Sequence, residues 1–219
     1  MFNWFKKTKT CPNCHLDSGW DGHKCVHCGY IESLAKKKTE LLTQVMDLFD
    51  PKIYNLQDIY YTKQLIPERL GVYAWYFDNL FDTYFAHNNQ SVIRIDPKWF
   101  LLYIGIAEYR TLRDRIHGDH LNQNSEGSTL RQSLAALLWK DIDLDASKQL
   151  NGENEKMKLN NWIFHHAVVA WTETDKPEVV ENLMLHEFGH LLYLNIENNK
   201  KNPNRKILKQ LRKLWRKGK

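Results

Sequence analysis

Two short apolar stretches decide the fold of this chain: residues 70–77, LGVYAWYF, and residues 99–106, WFLLYIGI. Both combine aromatic with branched side chains, a composition that favours β-strands. The second stretch is apolar along its whole length, so we expect it to be fully buried. Residues 162–171, WIFHHAVVAW, predict a third strand.

Helical patterns separate and follow these strands. The order strand, strand, helix, helix, strand, helix, helix predicts an α+β fold, in which a small mixed or antiparallel three-stranded sheet is flanked by helices. Two polar segments remain: residues 141–160, which we expect to form a mobile insert, and the asparagine-rich, irregular residues 195–204. The predicted helices are one around residues 112–116, one over residues 129–139 with Ser128 as N-cap, one from Pro177 to about His190, and one over residues 205–216.

The composition is that of an ordinary globular protein. Of the 219 residues, 42% are hydrophobic and 26% are charged, which excludes wholesale disorder. No apolar run approaches the roughly 20 residues of a membrane span, and the first residues, MFNWFKKTKT, lack the pattern of a signal peptide. We therefore expect a cytoplasmic protein that does not enter a membrane.

Four cysteines near the N-terminus form a metal-binding pattern. Cys11 and Cys14 make one C-x-x-C pair, and Cys25 and Cys28 make a second pair ten residues further on. Two such pairs supply four thiolates with the spacing of a zinc ribbon, and a reducing compartment disfavours the alternative of disulfides. We predict that the four cysteines bind one structural Zn²⁺.

The positive charge of the chain is concentrated in its last residues. From residue 200 onward there are ten Lys or Arg and no acidic residue, and because the whole chain carries +5, residues 1–199 carry −5. Such a block favours contact with a polyanion such as nucleic acid, with a solvated helix face as the alternative. The helical positions that we expect to contact nucleic acid are Lys206, Lys209, Arg212, Lys213 and Arg216.

Three short motifs occur in an informative order. They are Gly71-Val72-Tyr73, then Tyr103-Ile104-Gly105, then Leu112-Arg113-Asp114-Arg115-Ile116. Together they resemble the GIY-YIG nuclease superfamily, apart from an insertion around residues 79–97 between the two tyrosine motifs. The similarity covers about residues 66–216 and includes GSTLRQSLAAL at 127–137, PEVVE at 177–181, LNIEN at 194–198 and Asn202-Pro203.

The resemblance implies a metal-dependent endonuclease that hydrolyses phosphodiester bonds of DNA or of RNA. Glu181 matches the family's metal-binding glutamate, for Mg²⁺ or Mn²⁺, and Asn195 matches its structural asparagine. Cutting both strands from one active site per chain would imply a homodimer. The implied site residues are Tyr73, Tyr103, Arg115 rather than Arg113, His120 with His117 as the alternative, Glu181 and Asn195.

These residue types suit phosphodiester hydrolysis on chemical grounds. A divalent cation on the Glu181 carboxylate supplies Lewis acidity, and Arg115 offers fixed donors to phosphoryl oxygens that gain negative charge. Tyr73 can take a proton from water only if the cation and Arg115 lower its pKa well below about 10. Each residue alone also has a structural interpretation, as a strand aromatic, an ion-pair partner or a helix N-terminal acid. Their combination favours a catalytic site.

A competing motif is His186-Glu187-Phe188-Gly189-His190, which matches the H-E-x-x-H signature of zinc peptidases. That site needs a third ligand, and after Glu197 the chain contains no Asp, Glu, His or Cys. The missing third ligand makes a zinc peptidase the weaker interpretation, and it is kept as an alternative function. A non-catalytic nucleic-acid-binding protein is the other alternative.

These assignments divide the chain into four predicted segments. A zinc ribbon over residues 1–31 is followed by a helical linker over residues 32–65. The GIY-YIG-like domain covers residues 66–199, and the basic helix covers residues 200–219.

Overall fold

The structure, a computed structural model, describes most of the chain from residue 50 onward. The chain divides into two compact units, Met1–Gln44 and Val45–Lys219, and every element below belongs to the second. Cys11 and Cys25 lie outside the described residues, as do residues 32–42 of the predicted helical linker, so the zinc ribbon stays a prediction. The described residues are 50–78, 93–95, 97–122 and 128–218, with Thr10, Cys14, His15, Cys28, Thr43, Val45, Asp47, Leu48 and Tyr84.

An antiparallel three-stranded sheet lies at the centre of the second unit. Its strands are β1 (Gly71–Phe77), β2 (Phe100–Ala107) and β3 (Ala167–Glu173), in the order β2-β1-β3. All residues of β1 are buried, because this strand has a neighbour on each side and is covered on both faces. The α+β fold with a small three-stranded sheet and flanking helices is confirmed.

Helices flank this sheet. Two of the predicted helix starts are confirmed: the Ser128 hydroxyl accepts a hydrogen bond from the Arg131 N–H, and Pro177 occupies the first turn of its helix. In the described part of the chain, none of the helices is both long enough and apolar enough to span a bilayer. The helices are α1 (Leu56–Tyr61), a 3₁₀ turn (Lys63–Leu65), a π-helix (Asp114–Leu121), α2 (Thr129–Leu138), α3 (Glu153–His166), α4 (Pro177–Phe188) and α5 (Arg205–Arg216).

The predictions for residues 141–171 were wrong in two respects. The expected mobile insert contains helix α3, and β3 begins only at Ala167, five residues later than predicted from the start at Trp162. Leu159 and Ile163 are buried four residues apart, which is the spacing of one helix face. The stretch 162–171 therefore ends a helix and begins a strand, a division that its mostly apolar composition conceals.

The asparagine-rich segment at 195–204 is irregular, as predicted, and its side-chain amides fix its path. Asn199 Nδ2 donates to the carbonyl oxygen of Gly189 at 2.7 Å. Asn202 Nδ2 donates to the carbonyl oxygens of Tyr193 and Asn195, at 2.8 and 2.7 Å. These bonds satisfy backbone groups that have no helix or sheet partner.

Candidate active site

The two motif tyrosines lie on one face of the sheet. Tyr73 of β1 pairs with Gly105 of β2, and Trp75 pairs with Tyr103, so the two tyrosines are diagonal neighbours. The Tyr73 ring lies over Gly105, where an added Cβ atom would be 2.4 Å from both Cζ and the hydroxyl oxygen of Tyr73. The second motif therefore requires glycine because the tyrosine of the first motif fills the space of a side chain.

The π-helix explains how Arg115 and His120 face the same site. In an α-helix, residues five apart point about 140° away from each other, because a turn takes 3.6 residues. The i→i+5 bonding of a π-helix instead stacks such residues on adjacent turns, and π-helical segments are frequent at functional sites.

Asp119 orients the Arg115 guanidinium. The carboxylate of Asp119 is buried and accepts a hydrogen bond from Arg115 Nη1 at 2.5 Å. Arg110 Nη1 also donates to both Asp119 oxygens, at 2.9 and 3.0 Å. Arg115 Nε donates to the carbonyl oxygen of Ile106 at 3.3 Å, so the guanidinium is fixed at two points.

His120 is buried against both tyrosines. Its ring centroid lies 5.2 Å from that of Tyr73 and 6.2 Å from that of Tyr103. His120 Nε2 is 2.8 Å from the Tyr73 hydroxyl, and Nδ1 is 2.8 Å from Ser128 Oγ. His117, the alternative, bonds through Nε2 to the carbonyl oxygen of Tyr60 at 3.2 Å. The structure thus brings His120 to the tyrosine pair.

Burial controls the ionisation of Tyr73 and His120. It raises the pKa of Tyr73 to about 12, although the neighbouring Arg115 guanidinium acts in the opposite direction. Burial, together with the charges of Arg115 and Arg131, holds the pKa of His120 well below its usual value. The condition that the pKa of Tyr73 fall well below 10 is therefore not met by the protein alone, and at neutral pH both side chains are uncharged.

Helix α4 packs against β1 and β2 and carries Glu181. Burial is the main cause of the raised pKa values of Tyr73 and Tyr103, and the charge of Glu181 raises both further. The pKa of Glu181 is itself raised by burial and by Glu108, whereas Arg115 lowers it. Glu181 therefore lies within electrostatic reach of both tyrosines and of the guanidinium.

The donors around Glu181 fit a hard divalent cation that keeps most of its water. Mg²⁺ is commonly held by one or two protein carboxylates, with water and substrate phosphate in the other positions. Glu181 supplies one partly buried carboxylate, and Glu108 approaches it closely enough to raise its pKa. Among the described residues, no group of three His, Cys, Asp or Glu side chains could hold a metal ion.

Asn195 supports the edge strand rather than the reacting groups. Its Oδ1 accepts from the Ile104 N–H at 2.9 Å, and its Nδ2 donates to the Ile104 carbonyl oxygen at 2.8 Å. Leu194 N also donates to the carbonyl oxygen of Leu102 at 2.9 Å. Because β2 is an edge strand, this amide takes the place of a neighbouring strand along the second tyrosine motif.

Most of the predicted nucleic-acid contacts line one groove on helix α5. Arg212 and Arg216 both donate to Gln132 Oε1, and Arg212 also lies 3.7 Å from a carboxylate oxygen of Glu197. The charge of Arg212 lowers the pKa of Tyr103, against the larger effect of burial, so Arg212 lies within electrostatic reach of Tyr103. The groove measures about 360 Å³ and is lined by Ile196, Glu197, Lys209, Arg212, Lys213, Arg216 and Lys217, without Lys206.

The H-E-x-x-H motif does not form a metal site in the described residues. Helix α4 ends at Phe188, so His190 lies beyond the helix that carries His186. His186 is exposed, and its Nδ1 lies 2.9 Å from Glu187 Oε1. No third ligand accompanies them in the described part of the chain.

Sequence reasoning missed Glu108, Arg131 and Asn160. Glu108 directly follows strand β2, three residues after the second tyrosine motif, a position at the end of a strand that could have drawn notice. Arg131 shares one helix face with Leu134, Ala135 and Leu138, all buried, and this spacing placed an arginine among core residues. Asn160 gave no signal, because it lay in the segment expected to be mobile.

The fold and the assembled side chains define an enzyme class. A carboxylate, a fixed guanidinium, a neutral imidazole and two tyrosines within electrostatic reach of one another are groups that suit phosphodiester hydrolysis. In agreement, residues 71–215 match the profile of the GIY-YIG catalytic domain, and the chain belongs to this family. Searches of curated proteins and of solved structures gave no match.

Proposed function

We propose that this protein is a divalent-metal-dependent endonuclease that hydrolyses phosphodiester bonds of DNA. The observation that carries the proposal is that Tyr73, Tyr103 and His120 meet on one face of the sheet, with Arg115 and Glu181 within electrostatic reach of both tyrosines. These residues come from two strands and two helices that are distant in the sequence.

The roles of these side chains follow from their charge and burial. Glu181, with Glu108 beside it, holds Mg²⁺ or Mn²⁺, which when bound supplies positive charge for the phosphoryl oxygens and for water. Arg115, held by Asp119, donates to the phosphoryl oxygens as negative charge develops on them. Tyr73 accepts a proton only as the phenolate, so it must first lose its own proton to solvent, which would require the positive charge of a bound cation in addition to that of Arg115. The Arg115 guanidinium and the His120 ring beside the Tyr73 oxygen stabilise this phenolate form.

The groove on α5 holds backbone phosphates next to this site. Arg212 and Arg216 converge on one acceptor, Gln132 Oε1, so their guanidinium groups are held together before substrate binds. Contacts of this kind are independent of sequence and weaken with salt. Lys209 and Lys213 line the same groove, which supports four of the five predicted contacts.

Cleavage of supercoiled plasmid tests the proposal. The full chain is expected to nick plasmid with Mg²⁺ or Mn²⁺ and to be inactive with EDTA. Glu181→Gln, which removes the charge and keeps the shape, should abolish nicking.

Glu187→Gln is the matched control, because it makes the same change on the exposed end of the same helix. It should leave cleavage unchanged. Cleavage by Glu181→Gln at the wild-type rate would refute the site, and salt-sensitive DNA binding without cleavage under any metal would establish the non-catalytic alternative.

A further inference from the structure

A buried polar network connects the end of the π-helix to helices α2 and α3. Arg131 of α2 is 0% exposed, and its Nη1 donates to the carbonyl oxygen of His120 at 2.7 Å and to Oδ1 of Asn160. Asn160 Nδ2 in turn donates to the carbonyl oxygen of Leu121 at 2.8 Å. The backbone of the π-helix at His120 and Leu121 is thus held from two separate helices.

Ser128 connects this network to the imidazole ring. Its Oγ accepts the Arg131 N–H at 3.1 Å and lies 2.8 Å from His120 Nδ1. A hydroxyl has one proton to donate, and within the described part of the chain its other partner is Nδ1. If Nδ1 carried the proton, the buried hydroxyl would accept both bonds and its own proton would have no acceptor among the described residues. The arrangement therefore favours the hydroxyl as donor and Nδ1 as acceptor, and a neutral imidazole with Nδ1 as acceptor carries its proton on Nε2.

We propose that Ser128, Arg131 and Asn160 are positioning residues that hold His120 in the tautomer protonated at Nε2. In this state His120 donates a hydrogen bond to the Tyr73 oxygen, at the observed distance of 2.8 Å. The Arg115 guanidinium acts on the same oxygen, so that a Tyr73 phenolate faces two donors. The inference rests on the proposed nuclease function and gives a role to Ser128 and Arg131, which that function left unexplained.

The surroundings of His120 favour the neutral ring. Burial is the largest influence, and the Arg115 and Arg131 charges act in the same direction on its pKa. Removing the Arg131 charge therefore raises the pKa of His120. The titratable or charged groups that face it are Tyr73 from β1, Tyr103 from β2, Arg115 from the π-helix and Arg131 from α2, and α3 contributes the uncharged amide of Asn160.

The tautomer can be measured without any cleavage assay, so its outcome is independent of the proposed function. Two-bond ¹H–¹⁵N correlation spectra of the ¹⁵N-labelled full chain, with His120→Gln to assign the signal, distinguish the two neutral forms. At pH 7 we expect His120 to show the Nε2-protonated pattern. The Nδ1-protonated pattern, or a doubly protonated ring, would overturn the inference.

The steady-state kinetics of Ser128→Ala test whether the hydrogen bond from Ser128 to His120 contributes to the rate of cleavage. The variant should let His120 populate both tautomers and should lower kcat while leaving KM for plasmid unchanged. Asn55→Ala is the matched control, because it removes the N-cap of α1, where Asn55 Oδ1 accepts from Gln57 N at 2.8 Å. Wild-type kcat together with an unchanged tautomer in Ser128→Ala would contradict the proposal.

Arg131 offers a second, charge-specific test. Arg131→Met should shift the acid side of the pH–rate profile to higher pH, since protonation of His120 then begins at higher pH. Arg131→Lys keeps a cation and a donor and should largely restore the wild-type profile. A merely structural role for Arg131 would lower the rate equally at all pH values, and that result would contradict the proposal.

Discussion

The contact between Tyr73 and Gly105 allows a quantitative prediction. In Gly105→Ala, the new Cβ atom would lie 2.4 Å from Cζ and the hydroxyl oxygen of Tyr73, and 2.7 Å from Cε2. Relaxed contacts between carbon atoms are about 3.5 Å, so the tyrosine ring has to move by about 1 Å. A displacement of that size in a catalytic group lowers the rate by about 100-fold, and overpacking costs about 1–3 kcal/mol of stability.

Initial rates of plasmid nicking at saturating Mg²⁺ test this prediction, with urea unfolding to show that the variant is folded. Gly118→Ala is the matched control, because the nearest atom to its new Cβ, Arg110 Nη2, is 3.6 Å away, an ordinary contact. The control should keep both its rate and its stability. A folded Gly105→Ala protein that nicks plasmid as fast as the wild type would refute the proposed position of Tyr73 in the reaction.

Three further predictions concern the surroundings of the site. Asn195→Ala leaves the Ile104 N–H and carbonyl groups without their amide partner, and should lower the free energy of unfolding, measured in urea, by about 2–4 kcal/mol. The pKa of Glu181 is raised in the folded state, so its ionisation lowers the free energy of unfolding as pH rises from the unfolded to the folded pKa. Metal-free Glu181→Gln should therefore be more stable than the wild type at pH 7, and equal to it at acid pH below both pKa values, when both are measured by urea unfolding. Lys213→Ala with Arg216→Ala should reduce the slope of log binding constant against log salt by about 2 for duplex DNA, measured by fluorescence anisotropy, and an unchanged slope would place the DNA elsewhere.

Much of the sheet could be predicted from sequence because its strands are short, apolar and bounded by polar residues. β1 and β2 were predicted to within one residue at either end, and α5 was predicted with its observed bounds. The junction of α3 and β3 could not be predicted in the same way. The helical spacing of Leu159 and Ile163 continues a polar segment, so the sequence gives little indication that this segment is helical. The start of β3 is set by its pairing with β1, where Ala167 lies opposite Phe77.

The candidate site was predictable in its residue types but not in its ionisation. Nothing in the sequence shows that Tyr73 and His120 are almost completely buried, at 0% and 1% exposure, and burial determines their pKa values. The π-helix was also hidden, since an inserted residue leaves no mark in a single sequence. The burial of Arg131, by contrast, could have been predicted from sequence, because it lies on the same helix face as Leu134 and Leu138.

The proposed site places Tyr73, Tyr103 and His120 near the Glu181 carboxylate that would hold the cation, and paramagnetic broadening by Mn²⁺ tests this arrangement most directly. Titration of Mn²⁺ into the labelled full chain should broaden the ring signals of both tyrosines and of His120 at the lowest concentrations, and Glu181→Gln should abolish this selective broadening. Broadening that begins at His186 and His190, or that is identical in Glu181→Gln, would contradict the account.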